Sequence, residues 1–254
     1  MPLLEVKAVS KNFGGVAALK EMSLSVNANE IVGLIGPNGA GKTSFFNCVT
    51  GLIPVDGGQI LFDKGLLCLN GFPSNKILEA GIARTFQNLR IFKNMTLLEN
   101  VAVGFHSRTR SGLMDAFLKT QRLRREEKMI FEESTKLLRF MGLESQGNEI
   151  ASNLPYGSQK RLEIARALAC GPKLLLLDEP VAGMNPTEKE EIIALIRKIR
   201  EKNIAVLIIE HDMQVIMPLS DRVVVMDQGG KIAEGTPDEV QKNPRVIEAY
   251  LGEG

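Results

Sequence analysis

No stretch of this chain approaches the roughly 18–20 uninterrupted apolar residues that a membrane-spanning helix requires. The longest tight run, Leu174-Leu175-Leu176-Leu177, is the length of a strand and ends in Asp178-Glu179. Net charge is equally scarce. The 31 Lys and Arg residues against 30 Asp and Glu leave a formal +1, which gives no broad pull toward nucleic acid or an anionic membrane face. Cys48, Cys68 and Cys170 are odd in number and far apart. They match neither a disulfide framework nor a Cys-x-x-Cys metal site, and are expected as small buried residues in a reducing cytosol. Met1 to Ser10 carries Glu5 and no apolar h-region, so no signal peptide is expected there. What remains is a soluble cytoplasmic protein, 254 residues long, 44% hydrophobic and 24% charged, with enough chain to bury a substantial core.

The first part reads as strands. Leu4, Val6 and Ala8 alternate with polar residues, as do Met22, Leu24 and Val26, the pattern of half-buried antiparallel strands. Ile31 to Ile35 is continuously apolar, as in a strand covered on both faces, and a helix should follow it to about Thr50, ended by Gly51. Between about Gln87 and Gly157 the texture is helix-rich. Residues Asp115 to Met141 pair Leu118, Leu123, Ile130, Phe131, Leu137 and Leu138 with a mixed-charge cluster, Arg122 to Lys128, which reads as a solvated face rather than an RNA or lipid patch. Strands return at Leu174 to Leu177 and Ala205 to Ile209. Between them Asn185-Pro186-Thr187-Glu188 opens a helix with N-cap, first-turn proline and capping-box carboxylate in place, carrying Ile192, Ile193, Leu195, Ile196 and Ile199 on one face. A hairpin is expected from Arg222–Met226, a Gln228-Gly229-Gly230 turn and Lys231–Ala233.

Two elements carry chemistry. Gly36-Pro37-Asn38-Gly39-Ala40-Gly41-Lys42-Thr43 lies between a buried strand and a helix, the context of a phosphate-binding loop. Its glycines let backbone N–H groups curl around phosphate oxygens, and the helix N-terminus favours anions. Lys42 would reach the β- and γ-phosphates and Thr43 would ligate Mg²⁺, with Ser44 completing the nucleotide-binding segment. Leu174 to Glu179 then presents two carboxylates at the tip of a buried strand, where α/β proteins bind ligands. Asp178 would hold Mg²⁺ through water, and Glu179 would orient and deprotonate the attacking water. Together they specify a P-loop NTPase without saying which kind.

The segment Asn153-Leu154-Pro155-Tyr156-Gly157-Ser158-Gln159-Lys160-Arg161 to Leu168 resembles the signature segment of ABC transporter ATPases. Gln87, in Arg84-Thr85-Phe86-Gln87, matches that family's glutamine loop, and His211, in Ile209-Glu210-His211-Asp212, its switch histidine. Ala182-Gly183-Met184-Asn185 falls at its interface loop, and Phe13 at its adenine-stacking aromatic. The resemblance covers nearly the whole chain, and ordered agreement of six motifs excludes chance. The other histidine, His106, is expected as an ordinary solvent-facing residue.

The resemblance implies one α/β domain over residues 1–254, a P-loop core with an antiparallel β subdomain (1–86 and 158–254) and an inserted helical subdomain (87–157). It implies Glu179, His211 and Gln87 as catalytic residues, and Thr43, Gln87 and Asp178 around Mg²⁺. Leu154, Pro155, Tyr156, Gly157 and Ser158 would touch ATP bound to an opposing subunit, with Gly183 and Asn185 in the interface loop. Two segments depart from the pattern. Pro155 and Tyr156 replace the usual serine and first glycine, so γ-phosphate recognition would rest on the N–H groups of Tyr156, Gly157 and Ser158. Asn185 replaces the usual aspartate.

Ile82 to Phe92, Met95 to Val101, the long helical insert near Ser107 to Lys128 and the ending Ala249-Tyr250-Leu251-Gly252 are similar to the branched-chain amino acid importer ATPases of the LivG type. That branch implies two permease subunits, a second ATPase subunit that is the same or different, and an extracytoplasmic solute-binding protein. The location implied is the cytoplasmic face of the membrane, held peripherally through the permeases. Importers of urea, amides or other amino acids, and lipopolysaccharide-type exporters, share the architecture. Ribosome- or DNA-acting relatives carry two nucleotide domains or a long coiled coil, for which this chain has no room. A GTPase is disfavoured because Asn75-Lys76-Ile77-Leu78 lacks the aspartate that reads guanine.

Overall fold

A computed structural model describes residues 1–108 and 121–251, and its chain divides into two compact units. The first comprises Met1–Arg84 and Lys173–Gly254, the second Thr85–Pro172.

Two sheets build the first unit. β1 (Leu4–Phe13), β2 (Val16–Val26), β4 (Gly57–Phe62) and β5 (Leu67–Cys68) form an antiparallel sheet in the order β2-β1-β4-β5. The alternation expected of β1 holds for Leu4 and Val6 and then fails: Ala8 is exposed and Val9 is buried. Ala8 takes a φ of 46°, and the pairing with β2 shifts register between Val6 and Val9. A bulge inserts one residue and flips the faces that follow.

The second sheet, in the order β10-β9-β3-β8-β7-β6, holds β3 (Ile31–Ile35), β6 (Ile82–Arg84), β7 (Leu174–Asp178), β8 (Ala205–Ile209), β9 (Arg222–Asp227) and β10 (Gly230–Gly235). β6, β7, β8, β3 and β9 pair in parallel, and the β9–β10 hairpin closes the edge antiparallel. Every residue of β3, β7 and β8 is buried, which is why these segments are apolar throughout rather than alternating. The helices of this unit are α1 (Lys42–Val49), α2 (Ser74–Ala80), α6 (Pro186–Glu201), α7 (Met213–Leu219), α8 (Pro237–Gln241) and α9 (Pro244–Leu251). α6 starts as its sequence requires: the Asn185 side chain accepts from the Glu188 N–H, and Glu188 accepts from the Asn185 N–H. Ile192, Leu195, Ile196 and Ile199 are its buried face.

The second unit packs α3 (Leu97–Gly104), α4 (Gln121–Phe140) and α5 (Tyr156–Ala169) together. The family resemblance implies that residues 158–172 belong with the α/β core. α5 instead packs against α3 and α4 because it buries Leu162, Ile164, Ala165 and Leu168 among helices. In α4, Arg124, Arg125 and Lys128 are exposed, as a solvated face requires, while Ser134 and Leu138 are buried. Phe131, expected on the apolar face, is 58% exposed. It lies on the face of Leu138, seven residues on, but the described residues from 121 to 133 are all exposed or half-buried, so the cover over α4 begins only at Ser134. Asp115 and Leu118 lie outside the described residues, as does Gly252.

Candidate active site

Neighbouring strands of the parallel sheet bring the chemistry to one edge. The ordering β3-β8-β7-β6 places the loop after β3, the turn after β8, the tip of β7 and the end of β6 side by side at their carboxyl ends. This is where an open α/β sheet receives ligands.

The loop after β3 is shaped by two glycines with left-handed backbone. Gly36 has φ 152° and Gly41 has φ 99°; a Cβ would meet the Met226 carbonyl at 2.1 Å in the first case and the Ala18 carbonyl at 2.4 Å in the second. Only glycine fits both the torsion and the space. The loop feeds straight into α1, whose first residue is Lys42. The Lys42 ammonium donates to the carbonyls of Gly36 (2.6 Å) and Pro37 (2.9 Å). Burial pushes its pKa down, while the Glu179 and Asp178 carboxylates push it up. Asn38, Gly39 and Thr43 are exposed at the mouth of the loop, and Ser44 is half-buried. A cleft of about 800 Å³ opens beside Pro37, Asn38, Gly39 and Ala40, walled by Gln228 and by Arg245, Glu248 and Tyr250 of α9. Burial pushes the Tyr250 phenol up to about 12 against a hydrogen bond with the Gly36 backbone.

Asp178 ends β7 and is buried, at 2% exposure. Glu179 follows with φ 48°, a left-handed conformation uncommon for a residue with a Cβ. Its N–H donates to the Ile209 carbonyl at 3.0 Å, which anchors the turn to β8. His211 leaves β8 exposed to solvent, with Nδ1 3.8 Å from Glu179 Oε1. The first unit therefore brings together Lys42, Asp178, Glu179 and His211. Such a set can cradle a polyphosphate, hold a cation and orient a water molecule. Thr43 and Asp178 offer hard oxygen donors of the kind Mg²⁺ takes together with phosphate and water. Among the described residues no group of three or more His, Cys, Asp or Glu is placed to hold an ion by itself.

Three residues that the motifs did not single out complete this edge and its counterpart. Glu210 is fully buried and accepts from the N–H groups of Val181 (3.1 Å) and His211 (3.3 Å), tying the loop after Glu179 to the histidine turn. Burial raises its pKa. In the second unit Lys160 and Glu163, both 2% exposed, pair at 3.8 Å on α5. Lys160 donates to the carbonyls of Phe86 and Gln87, and Glu163 accepts from the N–H groups of Phe86 and Arg90. This pair holds the backbone around Gln87, whose own side chain is exposed.

The second unit also carries Leu154 to Ser158. Leu154 is buried, Pro155 is the N-cap of α5 with no side-chain cap, and Tyr156, Gly157 and Ser158 form its first turn. Their N–H groups lack intrahelical acceptors, as in any first turn. Phe13 is 46% exposed with the Lys11 ammonium 5.6 Å from its ring centre, so it is not core. Gly183 (φ 75°) and Asn185 are exposed in the loop before α6. His106 is exposed, as expected. The cysteines divide: Cys48 is buried, its thiol pushed up to about 11 by burial, whereas Cys68 is exposed and Cys170 half-buried. The expectation of burial fails for Cys68 because β5 is a two-residue edge strand.

The profile of the ABC transporter family matches residues 19–182, and that of the branched-chain amino acid ATP-binding cassette transporter matches 231–254. The chain is 45% identical over 253 residues to the high-affinity branched-chain amino acid transport ATP-binding protein BraF of Pseudomonas aeruginosa, covering 99% of this chain and 98% of that one. It is 46% identical over 253 residues to LivG of Salmonella typhimurium, with the same coverage. Among solved structures, a nucleotide-free ATP-binding cassette from an ABC transporter superposes with a TM-score of 0.86 at 34% identity, covering 100% of each chain. An ATP-binding cassette of an ABC transporter in its ADP conformation gives 0.84 at 33%, again over 100% of each chain.

Proposed function

The chain belongs to the ABC transporter ATP-binding family, and from that premise we propose that it is the ATP-hydrolysing subunit of an importer of branched-chain amino acids. The carrying observation for hydrolysis is the cluster of Lys42, Asp178, Glu179 and His211 at the carboxyl edge of one parallel sheet. For the cargo class it is the match of residues 231–254 to the branched-chain transporter family, joined to 45–46% identity with relatives named for that transport.

In this reading the loop Gly36–Ser44 holds the phosphates, with Lys42 turning from its own carbonyls to the β- and γ-oxygens and Phe13 stacking on adenine. Thr43 and Gln87, with Asp178 through water, would hold Mg²⁺, which would neutralise phosphate charge. Glu179 accepts the proton of the attacking water, and His211 steadies that water and the leaving charge. The Tyr156, Gly157 and Ser158 N–H groups, with Leu154 and Pro155 framing them, meet the γ-phosphate of ATP on a second ATPase subunit, and Gly183 and Asn185 line the shared interface. Loss of the γ-phosphate removes that bridge, an ordering switch of the kind used by nucleotide-driven machines. Two permease subunits take up the resulting motion, and an extracytoplasmic binding protein delivers solute. The subunit thus sits peripherally at the cytoplasmic face. The helices supply no candidate span among the described residues.

Uptake of labelled leucine, isoleucine and valine in cells lacking the gene tests this reading. Native protein should restore uptake and Lys42→Ala should not. Normal uptake without the gene would overturn the branched-chain assignment and point to urea, amides or other amino acids.

A further inference from the structure

The parallel edge contains one more charged group. Arg84 is the last residue of β6 and the last residue of the first unit, so the chain leaves that unit directly after it. Its side chain is only 6% exposed. One terminal nitrogen donates to Asp178 Oδ2 at 2.7 Å, and the other to Asn47 Oδ1 at 2.7 Å. The second nitrogen also lies 3.4 Å from Thr50 Oγ1, and the guanidinium carbon stands 5.2 Å from the centre of the Phe46 ring. Asn47 and Phe46 belong to α1, the helix that the phosphate loop opens. One guanidinium therefore joins the tip of β7, the end of β6 and the second turn of α1.

Each partner limits what the others can do. A buried carboxylate without a cation or donors is costly, and the guanidinium supplies both for Asp178. The fork is planar and rigid, so Asn47 and Phe46 fix its plane, and the plane fixes the Asp178 carboxylate. A point-charge ammonium cannot hold Asp178 and Asn47 in one geometry. Outer-shell groups of this type orient a ligating side chain, and their loss commonly lowers metal affinity.

We propose that Arg84 is a positioning residue for the nucleotide site: it sets the orientation of Asp178 toward the cation that accompanies ATP and links that orientation to α1. The proposal rests on the reading of Asp178 as the cation-holding acid. Arg84 touches neither nucleotide nor water in this role and acts through Asp178 alone.

Binding of a fluorescent ATP analogue, titrated with Mg²⁺ and repeated in EDTA, distinguishes this from a purely structural ion pair. Arg84→Lys retains the charge and is expected to fold. Its half-saturating Mg²⁺ concentration should rise roughly tenfold, with analogue affinity in EDTA little changed. Asn47→Ala, which leaves the ion pair but frees the fork, should shift the midpoint in the same direction by less. An unchanged or lowered Mg²⁺ midpoint in Arg84→Lys, whatever happens to its Tm, overturns the proposal. Asp178→Asn serves as the control. If it too leaves the midpoint unchanged, the assignment of Asp178 itself fails; if it shifts while Arg84→Lys does not, only the role of Arg84 is lost.

Discussion

His211 Nδ1 stands 3.8 Å from Glu179 Oε1, close enough for the two side chains to act on one water molecule. Two backbone features fix this approach: the left-handed φ of Glu179 and its N–H bond to Ile209, the last residue of β8. An uncommon torsion held by the parallel sheet is the kind of local strain that persists at working sites. Glu179→Gln keeps shape and backbone bonds but removes the base. Its ATP turnover should fall by about 10²-fold or more while ATP still binds. The variant should then accumulate as an ATP-bound dimer, visible by size exclusion. A variant that stays monomeric with ATP present counts against Glu179 as the base.

Lys42 offers a test of binding rather than chemistry. Among the described residues its hydrogen bonds run to carbonyls of its own loop, so truncation costs the fold little. Lys42→Ala should retain the native circular dichroism spectrum and melt near the native temperature, yet lose measurable affinity for ATP in calorimetry. Retained affinity would remove the loop from the binding site.

Glu210 gives a pH signature. Burial raises its pKa above the ordinary 4.5, so between 4.5 and that raised value the folded chain holds more protons than the unfolded one. Stability attached to this group is complete below 4.5 and declines as pH rises through the window. Glu163 is raised by burial as well and has the same sign. Glu210→Gln imitates the protonated acid and retains an acceptor for Val181. Its Tm relative to the native protein should therefore increase from pH 5 to pH 8. A difference that is flat across that range would mean Glu210 carries no such linkage.

Much of this arrangement was legible from residue order alone. Buried parallel strands announce themselves by unbroken apolar runs, and β3, β7 and β8 fall where Ile31–Ile35, Leu174–Leu177 and Ala205–Ile209 said they would. The phosphate loop and the carboxylate pair are local in sequence, so their spacing is visible there. Arg84, Glu210 and the Lys160–Glu163 pair were not singled out. The Arg84–Asp178 contact spans 94 positions, and nothing local at either end indicates the other. Glu210 stands beside the conspicuous His211, and a charged residue directly after an apolar strand is the one available signal. The β1 bulge was hidden for a related reason: Ala8 continues the alternation on paper, and only its positive φ breaks it.

The Lys160–Glu163 pair should behave as a buried ion pair. Lys160→Met leaves Glu163 unpaired and should cost roughly 3 kcal/mol in denaturant unfolding. Adding Glu163→Gln should recover part of that loss, since a neutral side chain needs no cation. An additive pair of effects would show that the two do not couple across 3.8 Å.

Pro155 is the N-cap of α5 and offers neither an N–H nor a side-chain acceptor at the helix start. The proposed signature contact would then rely on Tyr156, Gly157 and Ser158, the proline removing one donor that a serine would supply. Pro155→Ser restores both a hydroxyl and an N–H at the helix start, and Ser at an N-cap also favours the helix by about 1 kcal/mol. A hydroxyl that only caps the helix raises the melting temperature and leaves catalysis alone. One that reaches the γ-phosphate of a partner's ATP raises turnover as well, by about tenfold for each 1.4 kcal/mol gained only in the transition state. Steady-state ATPase rates of the two proteins, measured with the melting curves, separate these cases. Faster hydrolysis is expected, and unchanged turnover beside a higher Tm would mean that the proline is neutral for the reaction.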